Sequence, residues 1–141
     1  MSFPSIPGVY EGERPCLALW SIGHGPSIDH TRVVFHDTQS DYLIRYGLRP
    51  CGSCWEISQA KLPGPTYAGI IERLELISIP LVAAPQGAMC DGATCGFWYE
   101  SGYDQAISAS WYYPPEEWEP LAEWYGETRR ILDKAFERSG G

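Results

Sequence analysis

Proline and glycine punctuate this chain so often that few stretches are free to form long regular elements. Twelve Pro and fifteen Gly are spread over 141 residues. Clusters such as Gly23-His24-Gly25-Pro26, Pro63-Gly64-Pro65 and Pro114-Pro115 mark breaks. Proline fixes φ and lacks an N–H, and glycine loses the most freedom on ordering. Short strands fit between such breaks, and helices fit only where the spacing opens.

Cys16 to Ile22 is short, apolar and strand-like, and Gly23 to Pro26 ends it. Thr31 to His36 alternates, with Thr31, Val33 and Phe35 on one side and Arg32, Val34 and His36 on the other. That is a strand rich in β-branched residues. After a turn at 37–41, Tyr42 to Tyr46 reads as a third strand. Residues 47–65 carry Gly47, Pro50, Gly52, Pro63, Gly64 and Pro65, and they read as irregular. Thr94 to Glu100 and Gln105 to Tyr113 form a hairpin around Ser101-Gly102-Tyr103-Asp104. In its second strand Ile107, Ala109, Trp111 and Tyr113 share a face that reads as buried.

Two stretches carry helical periodicity. Tyr67, Ile70, Ile71, Leu74 and Ile77 make one apolar stripe, with Thr66 as the expected N-cap and Pro80 as the stop. Leu121, Trp124, Tyr125, Thr128, Ile131, Leu132 and Ala135 make the second, with Pro120 in the first turn, where a missing N–H costs nothing. The expected order is β-β-β-α-β-β-α. It predicts an α+β fold, an antiparallel sheet of about five strands with both helices packed on one face. Residues 1–15, with three Pro and two Gly, read as an irregular lead-in to a single domain over 16–141.

Charge narrows the choice of partner. The net charge is −8, and no Lys or Arg occurs between Arg73 and Arg129, a stretch that holds nine acids. Such a field repels nucleic acids and anionic membranes and attracts basic proteins. Its plainer meanings are solubility and helix capping, because Glu116, Glu117, Glu119 and Glu123 sit at a helix start. No stretch approaches the apolar length of a membrane helix. The N-terminus has neither a basic start nor an apolar run, so the expected location is cytoplasmic.

Catalytic signatures are missing from the sequence. It has no Gly-x-Ser-x-Gly elbow, no Walker loop and no dinucleotide fingerprint, so no cofactor is expected. Cys51 and Cys54, with Cys90 and Cys95, are the one conceivable zinc set. The wider second spacing and the strand position of Cys95 argue for plain reduced thiols instead. His24, His30 and His36 recur every six residues, and His30 and His36 would share a strand face. Without clustered carboxylates they read as ordinary surface or turn residues rather than an acid–base site.

The segment from Asp91-Gly92-Ala93-Thr94 to Trp111-Tyr-Tyr-Pro-Pro-Glu-Glu-Trp118-Glu-Pro-Leu121 resembles a C-terminal segment of small, mostly uncharacterised bacterial proteins. An Asp-Gly turn, a hairpin, a Trp-bearing strand and Pro-Pro-x-x-Trp-x-Pro-Leu opening a helix carry the likeness, which covers 30–40 residues. It implies a fold rather than an activity. In general look the chain is similar to immunity proteins that neutralise bacterial toxins. The expected function is therefore a non-catalytic binding protein for a basic partner such as a toxin. Trp98, Tyr103, Tyr112 and Trp118 are the aromatics expected to be partly exposed beside acids. The expected contact residues are Glu100, Tyr103, Asp104, Glu116, Glu117, Trp118, Glu119 and Glu123. The alternatives are a small enzyme built around the histidines and a zinc-stabilised structural module.

Overall fold

The computed structural model describes residues 6–24, 28–50, 52–82, 92–102, 105–112 and 114–139. It is an α+β fold with six strands, not five. They are β1 (Leu17–His24), β2 (Asp29–His36), β3 (Tyr42–Arg49), β4 (Glu56–Leu62), β5 (Gly92–Glu100) and β6 (Ala106–Trp111). Helix α1 (Gly64–Glu75) follows β4, and α2 (Glu119–Ser139) follows β6 after a single 3-10 turn at Glu116–Trp118. The strands make one antiparallel sheet in the order β4-β3-β2-β1-β5-β6.

The added strand is β4, inside the stretch that reads as irregular. It is an edge strand, so most of its side chains stay in water and the apolar signal is weak. Its first four residues are exposed, and only Ala60 and Leu62 are buried. Register with β3 puts Ala60 opposite Ile44. Strand β3 also runs to Arg49, three residues past its expected end.

Both helical stripes cover the same face of the sheet. Leu17, Leu19, Val34, Ile44, Leu62 and Phe97 meet Tyr67, Ile70, Leu74, Leu121, Trp124 and Leu132 in the main core. Trp124 donates its indole N–H to the Ile70 carbonyl at 3.0 Å and meets Phe97 edge-on at 5.2 Å, which ties the two helices to β5. Helix α1 starts at Gly64 with Pro63 as its N-cap and no side-chain cap, so Thr66 does not cap it. The helix ends at Glu75, and Ile77 packs from the following segment. At Gly64 an added Cβ would lie 1.8 Å from the Ser40 carbonyl oxygen, so only glycine fits where the chain leaves β4 for α1.

The other face is covered by the N-terminal lead-in, which is irregular but packed. Ile6 is buried with Ala18, Val33, Phe35 and Trp98. Trp98 is therefore core, not the partly exposed aromatic of the sequence reading. Arg45 clamps the lead-in from β3. Its guanidinium pairs with Glu13 at 2.6 and 2.9 Å, donates to the Gly8 carbonyl at 2.7 Å, and lies over the Tyr10 and Phe35 rings. That pairing holds the Glu13 carboxyl below its ordinary range. Among the described residues no helix is long and apolar enough to cross a membrane.

Candidate functional site

Helix α1 ends beside β5 and β6, and the chain then runs along the open end of the helix layer. Ile77 and Ile79 are half-buried against the core. Leu76, Leu81 and Val82 are not, at 84%, 94% and 89% exposed. Large aliphatic residues this exposed and this close together are unusual on a protein that has no contact there.

Across from them, β6 ends at Trp111, and Pro115 in extended conformation starts the 3-10 turn. The Trp118 N–H closes that turn onto the Pro115 carbonyl at 3.0 Å. The Trp118 indole donates to the Pro80 carbonyl at 2.8 Å. It also meets Trp111 edge-on at 6.4 Å, and Trp111 meets Tyr125 edge-on at 5.5 Å. Trp118 is thus held by hydrogen bond and ring packing while staying half-exposed.

Between these two borders lies a groove of about 490 Å³. Leu74, Phe97 and Leu121 come from the core side, Ile107 and Ala109 from β6, and Ile79, Leu81 and Trp118 from the borders. The residues next to Trp118 in sequence, Glu116, Glu117 and Glu119, are all exposed, as is Glu123 one turn into α2. An apolar slot beside a row of carboxylates can take an apolar side chain while the carboxylates draw cations from its neighbours. The slot also corrects the reading of β6. Ile107 lies on the helix face as expected, but it is 54% exposed, because no helix reaches over that end of the strand.

The expected contact residues do not form one patch. Trp118 lines the groove, Glu116, Glu117 and Glu119 are its exposed neighbours in sequence, and Glu123 is exposed on α2. Glu100 alternates with the helix-facing Tyr99, so it lies on the other sheet face, where it pairs with Arg14 at 3.5 Å. Tyr103 and Asp104 lie outside the described residues, and so does Tyr113. The groove itself has no sequence signature, because its walls come from three separated segments.

A polar cluster lies under α2. Arg32 is 3% exposed, and its Nε and Nη2 donate to Asp133 at 2.7 and 3.1 Å. Its guanidinium sits over the Tyr46 ring, and Nη1 has no hydrogen-bond partner among the described residues. His30 Nδ1 and the Tyr46 hydroxyl share a 2.9 Å hydrogen bond. Burial, followed by the charges of Arg32 and Arg129, pushes the His30 pKa below its ordinary value. His36 meets the Tyr42 ring at a tilt, centroids 4.8 Å apart, at the other end of the strand. Six residues of strand put the two histidines about 20 Å apart, too far to share a substrate. The side chain of His24 lies outside the described residues.

The cysteines are similarly spread. Cys54 is exposed in the β3–β4 connection, and Cys95 is half-buried in β5 beside Ser21. Strands β3 and β5 are separated by β2 and β1, about 14 Å across the sheet. Cys51 and Cys90 lie outside the described residues. No group of three His, Cys, Asp or Glu that could hold a metal ion occurs among the described residues.

A second groove, of about 610 Å³, lies at the far end of α2. Lys61, Lys134 and Arg138 line it with Asp41, Leu62 and Ile131. In α2 the acids Glu119, Glu123 and Glu127 precede the first base, Arg129, and Asp133 and Glu137 lie among the later bases; Glu119 in the first turn and Arg138 in the last complement the helix dipole.

No protein-family model matches the chain, and comparison with curated proteins and with solved structures finds no match.

Proposed function

We propose that this chain is a non-catalytic binding protein that docks a basic protein partner, in the manner of an immunity protein against a bacterial toxin. The groove between Leu81, Ile107 and Trp118, beside Glu116, Glu117 and Glu119, carries the reading. A fixed aromatic in an apolar slot is the form that binding hot spots take, and surrounding charge speeds encounter with the opposite sign. The groove is also the place where the sheet's helix face is left uncovered by its own helices. By contrast, the two described histidines of β2 do not converge, and His30 lines neither described groove.

Photocrosslinking tests it. A photoreactive residue is placed at Ile107 or at Glu117, and in a control at Gln59 on the opposite edge of the sheet. The expected result is one basic protein captured in the source cells from the first two positions and not from Gln59. Capture of an acidic protein, or equal capture from all three positions, contradicts the reading.

A further inference from the structure

The two strands that end the sheet are built differently. Along β4 the exposed residues include Glu56, Gln59 and Lys61. Charges of this kind keep an edge strand from recruiting another strand. The β6 sequence, Ala-Ile-Ser-Ala-Ser-Trp, has no charge and no proline. Ala106, Ile107 and Ser108 are exposed, and β6 is last in the strand order. Such an edge offers main-chain N–H and C=O groups to an incoming strand. It also forms one wall of the apolar groove, through Ala106, Ile107 and Ala109.

We infer that β6 accepts a strand from the partner, and that this strand is amphipathic and basic. The inference rests on the groove being the partner site and names how the partner is held. In a strand added to β6, alternate side chains fall on the helix face, in the groove beside Ile107 and Leu81. Lysine or arginine at the end of that strand, beyond the groove, is drawn by the field of the exposed Glu116, Glu117 and Glu119. Main-chain pairing supplies affinity, and the groove supplies the preference for apolar residues at every second position.

Charge selects this occupant over a second copy of the chain. Pairing β6 with β6 would bring together two molecules that each carry a net charge of −8. That repulsion opposes self-association at low salt, while a basic strand gains from the same field.

The test uses nine-residue synthetic peptides with valine, isoleucine or phenylalanine at alternate positions, threonine between them and lysine at both ends. A matched set is N-methylated at alternate residues, which blocks main-chain pairing and keeps the side chains. The expected result is that an unmethylated peptide slows amide exchange over residues 106–110 at least tenfold, and that its methylated counterpart does not. Ile107→Lys, at an exposed position, removes the effect, and so does Ala106→Lys. If a methylated peptide binds as well, the groove takes its partner by side chains alone, and strand addition is wrong while the binding function stands. If no peptide of either set binds, strand addition is also wrong, and the crosslinking experiment decides the function separately. Sedimentation showing a dimer that Ile107→Lys dissociates would assign the edge to a second copy and overturn the inference.

Discussion

Burial sets the chemistry of individual side chains here more than sequence neighbours do. Cys16 donates its thiol to the Val34 carbonyl at 3.3 Å, and burial pushes its pKa up to about 11. The thiolate is the reactive form, so Cys16 is inert at pH 8 while the exposed Cys54 is not. Iodoacetamide treatment followed by mass spectrometry should modify Cys54 in the native protein and Cys16 only after unfolding. Equal labelling of both would show that the start of β1 is open.

Asp29 behaves in the opposite sense. Its burial opposes ionisation, but the Gly23 N–H at 2.8 Å and the Arg49 guanidinium outweigh it and hold the carboxyl below its ordinary value of 3.8. A carboxyl whose folded pKa is depressed contributes stability above its unfolded value, and that contribution is lost as pH falls through the folded value. Asp29→Asn should therefore cost about 1.5–3 kcal/mol at pH 7, the usual range for a hydrogen bond to a charged group. The gap between parent and variant should close as pH falls below 3.8. Urea midpoints measured from pH 7 downward check this, and a gap that stays constant would contradict it.

Among the elements, α2 was the most legible. Every residue of its expected stripe is buried except Ile131, which is half-buried, because a 3.6-residue period over five turns has no other satisfactory outcome. Trp124 is the test of that helix. It fills the junction of α1, α2 and β5, so Trp124→Ala should cost roughly 3–5 kcal/mol. A nearly neutral change in the urea midpoint would show that the helix layer does not depend on it. Strand β4 was illegible for the converse reason, since an edge strand with five exposed residues out of seven leaves too little apolar pattern to see. The start of α1 is decided by a contact with Ser40, far away in sequence, rather than by a capping side chain. At β6 the face of Ile107 was readable from alternation. Its exposure was not, because exposure depends on where α2 stops covering the sheet.

Over the whole molecule, the two sheet faces are closed by different means: two helices on one and the clamped lead-in on the other. The helix layer stops short at the β5–β6 side, and the groove opens there. The acids next to it were visible in the sequence as a charge run, but their relation to an apolar slot was not, because the slot combines the post-α1 segment, β6 and the α2 entrance. All four bases of α2 lie at or after Arg129 in its 21 residues, a length of about 30 Å, so the half nearer the groove carries acids alone. A basic partner is thereby drawn to one end of the molecule rather than to its average surface.

Capping and solubility would explain the same acids without any partner, and association kinetics separate the two accounts. Changing Glu116, Glu117 and Glu119 together to Lys leaves the fold standing, with a loss of about 0.3–1 kcal/mol for each charge at the helix start. The measurement is the association rate constant of the crosslinked partner, purified, with the parent and with this folded triple variant, at low and at high salt. The acid-rimmed groove predicts a rate that falls at least tenfold in the variant at low salt, and a parent rate that falls toward it as salt screens the rim. Equal rates for the two proteins at low salt would contradict the account, and the acids would then serve the helix and solubility alone.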